Sequence, residues 1–338
     1  MKILHISNFD NGSTAIARLK AFKKNGAEVF TLNVVDNFPN KYKLYLYYNF
    51  GFDHVFNNLN TEILKISVKH KPDIIFIEKG NFVYPKTLAL LKEFLNTKLV
   101  HYNPDDPFGS YQKGWSLLLK TIQQYDICFV ARKCNINEYK KLGAKIIYTF
   151  NRGFDPELHK KIKLSEDDYK KFYTPVGFIG SYEEERAEYI SFLIENKIPI
   201  KVYGGGWKNN KHWKIIKNNY IEGKYVGLEY VKVINAMDIA LHFLRRANRD
   251  EQDHRTFEIP ACGTFMLAQY SPFHKELFSI DKAAVLFDTK EDLLNKVNYF
   301  LQNNEERKII AEKGYNIIRE KGFDYENIIK QILILCQS

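Results

Sequence analysis

The densest group of ionisable side chains lies between residues 245 and 267, after an apolar run that is typical of a buried strand. Its members are Asp250, Asp253, His254, Arg255 and Glu258. Five ionisable groups at the mouth of a strand are costly to pack unless they are paired or used in chemistry. No second His or Cys lies at metal-ligand spacing from His254, which argues against zinc. The pattern favours a binding or catalytic site over a structural network of ion pairs.

A second polar segment, HYNPDDPFG at 101–109, follows another apolar strand. Asp105 and Asp106 stand between two prolines that restrict the loop, and His101 precedes them at the mouth of the strand. Two adjacent carboxylates in a cleft can bind sugar hydroxyls or act as a base, although a charged surface turn has the same composition. We interpret all three residues as candidate catalytic groups.

Two glycine-rich turns add candidates for binding. Gly12 lies in the loop NFDNGSTA, where a helix N-terminus offers free N–H groups to a phosphate or a sugar hydroxyl. An ordinary capped turn fits that loop equally well. The turn YGGGW allows close backbone approach at Gly205, and Trp207 could stack on a base or sugar or simply pack.

A cationic candidate follows a third strand end. Arg186 stands six residues after Gly180, in the first turns of a predicted helix. Its guanidinium could bind a phosphate in bidentate fashion, or it could pair with a neighbouring glutamate on the helix surface.

These candidates all follow short β-branched runs that alternate with segments of helical period, which predicts parallel sheets covered on both faces. The segment 153–174 breaks that rhythm with a proline and a mixed charge run, as interdomain linkers do. We therefore predict an N-terminal Rossmann-like domain over 1–152 and a second over 175–322. A final helix over 323–338 is expected to pack back on the first domain. Open sheets of this kind bind ligands at the carboxyl ends of their strands.

Bulk properties limit the classes of partner. The chain has 338 residues and a formal net charge of +10, which suggests an anionic partner such as a diphosphate or an anionic membrane surface. The lysines are scattered among acids, so nucleic acid is disfavoured. The four cysteines form no CxxC pair, and the start reads as a strand rather than a signal peptide. We expect a cytoplasmic protein, at most peripheral at the inner membrane face.

The second half resembles the group 1 glycosyltransferases of GT-B fold, and most closely their spore-maturation-protein type branch. The resemblance is carried by the stretches FIGSYEEER, GLEYVKVINAMDIALHFL, RTFEIPACGTFMLAQ and DTKEDLLNKVNYFLQNNEERKIIAEKGYNII, which cover most of 175–318. It implies an α/β fold of two Rossmann-like domains whose parallel sheets face an interdomain cleft. It also implies a hexosyltransferase-type enzyme that uses a nucleotide-sugar donor and a glycan, lipid-linked or protein acceptor.

The resemblance also implies roles for individual residues. Glu258 matches the glutamate that binds the donor ribose, and Asp250 stands in place of the first glutamate of the family's pair, near the transferred sugar. Arg186 falls where the family places a lysine against the donor diphosphate, with Arg255 at the start of the next helix. No cofactor or metal is expected, and retention of configuration is favoured. A nucleotide-sugar 2-epimerase, or a non-catalytic nucleotide-binding or nucleic-acid-binding protein of the same fold, remains an alternative.

Overall fold

The computed structural model describes residues 1–110, 114–208, 210–278 and 282–337. The chain forms two compact units, each with one parallel six-stranded sheet. The first unit comprises Met1–Arg152, Arg246–Arg249 and Tyr325–Ser338, and the second comprises Gly153–Arg245 and Asp250–Asp324. Two parallel sheets flanked by helices confirm the predicted α/β class, the two-domain Rossmann-like GT-B fold.

The sheet of the first unit has the strand order β2-β1-β3-β4-β5-β6. Its strands are β1 Lys2–Ser7, β2 Glu28–Asn33, β3 Ile74–Glu78, β4 Lys98–Asn103, β5 Ile127–Val130 and β6 Ile146–Thr149. Its helices are α1 Thr14–Lys24, α2 Lys41–Phe50, α3 Asn57–His70, α4 Pro85–Phe94, α5 Ser116–Thr121 and α6 Lys133–Lys141. The central strands are buried along their length, because helices cover both faces of a parallel sheet.

The sheet of the second unit has the order β12-β11-β10-β7-β8-β9. Its strands are β7 Thr174–Ile179, β8 Ile200–Tyr203, β9 Tyr220–Ile221, β10 Met237–His242, β11 Met266–Gln269 and β12 Val285–Phe287. Its helices are α7 Glu166–Phe172, α8 Glu184–Glu195, α9 Trp213–Ile216, α10 Gly227–Asn235, α11 Arg255–Ala261, α12 Pro272–Phe278, α13 Lys290–Gln302 and α14 Asn304–Glu320. Helix α7 lies inside the segment that the sequence indicates as linker.

A final helix, α15 (Tyr325–Gln337), packs in the first unit against α1. Ile328 and Ile332 are buried in a cluster that also contains apolar residues of β1, β3 and β4, and Leu335 packs against it. The amide of Asn25 donates to the carbonyl of Glu326 at 3.0 Å, and Lys98 donates to the carbonyl of Cys336 at 2.6 Å. Within the described residues, no helix combines the length and apolar character that crossing a membrane requires.

Both sheets contain a point where the strand order reverses. In the first unit β1 lies between β2 and β3, and in the second β7 lies between β8 and β10. Open α/β sheets bind ligands at the carboxyl ends of the two strands that flank such a reversal. The positions at which this fold would bind a ligand are therefore the carboxyl ends of β1 and β3, and those of β7 and β10.

Candidate functional site

Arg186 bridges the ends of the two strands at the reversal point of the second unit. Its Nη1 donates to the carbonyl of Ser181 at 3.0 Å, just after β7. Its Nη2 lies 3.5 Å from the carbonyl of Phe243, just after β10. Helix α8 supplies the side chain from its first turn, so the guanidinium is buried at the place where this fold class binds ligands.

The charge of Arg186 has no carboxylate ion-pair partner among the residues that the structure describes. Its Nε is buried and makes no hydrogen bond. Burial, and then the nearby Arg255 guanidinium, lowers the pKa of Arg186 to about 10, so the side chain stays protonated at neutral pH. An unpaired buried cation is costly unless an anion joins it, and this arrangement therefore suits an anionic ligand.

Arg255, the first residue of α11, brings a second guanidinium to the same place. The guanidinium carbons of Arg186 and Arg255 lie 5.8 and 5.9 Å from the ring centre of Phe178. A methyl group on Gly180 would lie 2.8 Å from Nη2 of Arg255 and from the Phe178 ring, so the glycine leaves room for the guanidinium. Two cations thus lie beside one glycine turn at the end of β7.

Asp253 orients Arg255. One carboxylate oxygen accepts from Nη1 of Arg255 at 2.7 Å, and the other accepts from its backbone N–H at 2.7 Å. Nε2 of His242, the last residue of β10, lies 2.8 Å from the same carboxylate. Thr256 links this group to His274, whose pKa burial lowers to about 3. Sequence reasoning missed both histidines, because His242 lies in an apolar strand and His274 in a mixed helix, and neither stretch contains a recognisable motif.

Glu258 is buried one turn further along α11. The hydroxyl of Tyr230 donates to its Oε2 at 2.6 Å, and Nε2 of His159 lies 3.7 Å from its Oε1. Burial and the adjacent carboxylate hold the pKa of Tyr230 well above its usual range, so the hydroxyl remains a donor. Within the described parts of the chain Oε1 accepts no hydrogen bond, which leaves it acceptor capacity for ligand hydroxyls. Neither Tyr230 nor His159 lies in a sequence motif that would have marked it as a site residue.

The connection between β10 and α11 also holds Asp250 and His254. Asp250 is half-buried, and its N–H lies 3.3 Å from the carbonyl of Arg245. His254 caps α11, where its carbonyl accepts from the N–H groups of Phe257 and Glu258. Both predicted residues therefore lie in the same stretch of chain as Arg255.

The predicted stacking role of Trp207 needs correction. Its indole is completely buried against Phe178 and Tyr182, and Nε1 donates to the carbonyl of Gly180 at 2.9 Å. Trp207 therefore supports the glycine turn from within the core rather than stacking on a ligand. Gly205 is exposed, and its carbonyl accepts from the N–H of Tyr182 at 2.9 Å.

The predicted catalytic role of His101 also needs correction, because the residue lies inside the core of the first unit and not at the end of a strand. It is fully buried within β4, between the rings of Tyr125 and Tyr139, and its Nε2 lies 3.0 Å from the Tyr139 hydroxyl. Burial lowers its pKa to about 3, so the imidazole is neutral. It cannot reach a substrate without unpacking the strand.

Asp106 is an anchor rather than a free base. Its carboxylate accepts Nε and Nη2 of Arg249 at 2.6 and 2.9 Å, the amide of Asn135 at 2.9 Å, and the N–H of Phe108 at 3.0 Å. Burial alone would raise the pKa of Asp106, but these hydrogen bonds lower it. The carboxylate fixes residues 246–249 to the first unit, which corrects its predicted catalytic role.

Asp105 keeps an accessible carboxylate, with about a third of its side chain exposed (34%). Its Oδ2 lies 2.7 Å from Nζ of Lys79. Burial opposes ionisation, but Lys79, and then Arg152 and Arg132, lower the pKa of Asp105. Of the three residues predicted around this loop, Asp105 alone could meet a substrate.

Gly12 lies in an exposed turn with φ +91°, a backbone conformation that favours glycine. The Ser13 hydroxyl caps α1 by accepting from the N–H of Ala15 at 3.2 Å. This geometry matches the ordinary capped turn that the sequence also allowed.

At the reversal point of the first unit, sequence reasoning missed a buried network around Glu78. Arg18 donates Nε and Nη2 to its carboxylate at 2.7 and 2.6 Å, and Ser7 and Nε2 of His5 bond the same group. The Arg18 guanidinium lies 5.0 Å from the ring centre of Tyr102. The network is buried and joins α1 and β1 to β3 through the carboxylate of Glu78, while Nδ1 of His5 makes no hydrogen bond to any residue that the structure describes.

One cluster among the described residues could in principle hold a metal: Glu184, Glu188 and His212. The ammonium of Lys211 forms an ion pair with Glu184 and lies 3.6 Å from Glu188. A lysine therefore already supplies the cation at this surface cluster.

Comparisons with known proteins agree with the fold. Residues 186–334 match the model of a family described as glycosyl transferase-like. No curated protein sequence gives a match.

Several solved structures are similar over the whole chain. Sucrose-phosphate synthase from Thermosynechococcus elongatus has a TM-score of 0.71 at 14% identity, covering 100% of this chain and 98% of that one. HepE from Anabaena, in complex with UDP and glucose, has a TM-score of 0.67 at 15% identity, covering 100% and 99%. A putative UDP-N-acetylglucosamine 2-epimerase from Listeria monocytogenes has a TM-score of 0.61 at 11% identity, covering 98% and 94%. At these identities the likeness concerns the fold alone.

Proposed function

We propose that this protein is a glycosyltransferase that moves a sugar from a nucleotide-diphosphate sugar to a glycan, lipid-linked or protein acceptor. One observation carries the proposal: the buried Arg186, without a carboxylate partner in the described structure, lies beside Arg255 at the strand reversal of the second unit. The match of residues 186–334 to the glycosyl transferase-like model supports the same activity. The hexosyltransferase type and the spore-maturation-protein branch are part of this proposal.

The donor is held by three side chains in this mechanism. Arg186 and Arg255 bind the diphosphate, and Glu258 accepts hydrogen bonds from the ribose hydroxyls while Tyr230 keeps its carboxylate in place. Negative charge grows on the diphosphate as the glycosidic bond breaks. Cations that are already oriented, as Arg255 is by Asp253, stabilise that charge without reorganisation. We propose that no metal is needed and that configuration is retained.

On the acceptor side, Asp105 of the first unit is the proposed contact to the acceptor. Its carboxylate is ionised and partly exposed, so it can accept a hydrogen bond from an acceptor hydroxyl. Asp250, in the connection that carries Arg255, is proposed to lie near the transferred sugar. We place the enzyme in the cytoplasm, and its net charge of +10 favours contact with an anionic membrane over nucleic acid.

Calorimetric titration with a panel of nucleoside diphosphates tests the donor site. UDP is the first choice, because the similar Anabaena structure contains UDP and glucose. We expect one nucleotide to bind the parent and to bind Arg186→Gln at least tenfold more weakly. If no nucleoside diphosphate binds the folded parent protein, the proposed function is wrong.

The 2-epimerase alternative is kept because an epimerase-like structure shares the fold. An epimerase converts its nucleotide sugar with no acceptor present, whereas a transferase needs the acceptor for full turnover. Incubating the cognate nucleotide sugar alone and following the sugar by NMR separates the two.

A further inference from the structure

Helix α2 displays an unusual aromatic surface on the first unit. Residues 37–52 contain seven aromatic side chains and two lysines but no carboxylate. Four of these rings are more than half exposed: Tyr42 (69%), Tyr45 (55%), Phe50 (64%) and Phe52 (56%). Large apolar groups concentrated on one short element mark an interaction surface rather than ordinary scatter.

The helix is held firmly while these rings point outward. Tyr47 faces inward against Phe56, and its hydroxyl lies 3.2 Å from the carbonyl of Gly114 and 3.3 Å from that of Asn81. Gly51 ends the helix in the left-handed conformation, φ +70°. Because one side of α2 is packed, the opposite side is presented in a fixed direction.

Three of the exposed rings, those of Tyr45, Phe50 and Phe52, form a continuous patch. Ring centres of Tyr45 and Phe50 are 6.1 Å apart, and those of Phe50 and Phe52 are 6.5 Å apart. Lys41 and Lys43 lie at the start of the same helix, and neither forms an ion pair within the described residues. The patch thus combines rings that carry a polar tip, bare phenyl rings and two nearby lysine side chains.

We propose that this surface, α2 with Gly51 and Phe52, docks the protein on an anionic lipid bilayer. Tyrosine rings favour the headgroup region, phenylalanines reach the acyl boundary, and lysines attract anionic lipids. The ten-residue helix, about 15 Å long, lies flat on the surface rather than crossing it. A symmetric contact between two copies fits less well, because it would bring the unpaired lysines of both chains together.

Flotation with vesicles tests the surface. The parent should bind vesicles of phosphatidylcholine mixed with phosphatidylglycerol, and bind phosphatidylcholine alone much more weakly. Phe50→Ser should weaken partitioning by about tenfold, because one large ring leaves the acyl boundary. Replacing Lys41 and Lys43 by glutamine should weaken it by about 25-fold, roughly fivefold per lysine, and reduce its salt dependence.

The matched control is Phe94→Ser. Phe94 is also a phenylalanine at the last position of a helix in the first unit, and its exposure of 69% is close to the 64% of Phe50. It should leave vesicle binding unchanged. Circular dichroism and titration with UDP confirm that each variant is folded, and they keep this test separate from the donor site.

Two results would overturn the inference. One is a parent that does not bind the anionic vesicles, or that loses binding equally with Phe50→Ser and Phe94→Ser. The other is a Phe50→Ser variant that changes the sedimenting species from dimer to monomer while vesicle binding stays the same, which would make α2 an interface between copies.

Discussion

Replacing Arg186 by glutamine should have opposite effects on stability and on ligand binding. The pKa of Arg186 is lowered to about 10, well below the ordinary value of a guanidinium. At about 1.4 kcal/mol for each pH unit, burying this charge costs on the order of 3 kcal/mol. A lowered pKa on a base disfavours the folded state at all pH values below the folded pKa, so the cost is fully present at neutral pH.

Glutamine removes that charge, but its shorter amide ends about where Nε of Arg186 lies, so the bond to the carbonyl of Ser181 is lost at about 1 kcal/mol. It loses the contact to Phe243, which is long at 3.5 Å and contributes about 1 kcal/mol or less. The free variant should therefore be more stable than the parent by about 1–2 kcal/mol in urea unfolding. The same variant should lose about 1.5–3 kcal/mol of nucleoside diphosphate affinity and about 2–4 kcal/mol of barrier lowering in sugar transfer.

Arg307→Gln is the matched control in the same unit. Arg307 is also buried and bonds a backbone carbonyl, that of Phe300, but its Nη2 lies 3.5 Å from a carboxylate oxygen of Asp238. Its replacement should destabilise the fold and leave nucleotide affinity unchanged. If Arg186→Gln is instead destabilised like Arg307→Gln and binds the nucleotide like the parent, Arg186 is a structural residue.

Four further predictions concern carboxylates of the two units. Glu258→Gln should weaken nucleoside diphosphate binding by roughly tenfold, measured by calorimetry, and unchanged affinity would make Glu258 structural. Asp253→Asn should leave Arg255 unoriented and slow transfer more than it weakens UDP binding, a comparison of kcat with Kd. Asp106→Asn should lower the free energy of unfolding by about 2–3 kcal/mol above pH 5, and this difference should disappear as acid protonates the carboxylate of the parent. Asp105→Asn should slow sugar transfer with little loss of stability or UDP affinity.

Most strands were predictable because they are short apolar, largely β-branched runs between helical segments, and parallel strands need no alternation to be recognised. The two-residue strand β9 was missed, because a pair of residues carries no period. Helix α2 was not predicted. Aromatic residues occupy both its buried and its exposed sides, so the hydrophobic period that identifies a helix is absent from residues 41–50.

The candidate site was only partly predictable, for a physical reason that its residues share. The position of Arg186 after a glycine turn indicated a phosphate contact, but its lack of a carboxylate partner depends on residues that approach from β10. Asp106 looked like an active-site acid because its partner Arg249 lies 143 residues away in the sequence. His101 is of a residue type that often acts in catalysis, but it is buried in the core. The spacing of residues in the sequence cannot distinguish a catalytic histidine from a core histidine.

The position of α15 has a consequence for how the protein folds during synthesis. The first unit is translated first, yet Tyr325, whose ring lies 5.4 Å from the Arg18 guanidinium, and the apolar side of α15 are translated only after the whole second unit. Until then, the apolar surface of α1 and the sheet beneath it stays open to water. The part that leaves the ribosome first is therefore the last to be completed, and a nascent chain halted before residue 325 should depend on chaperones until translation resumes.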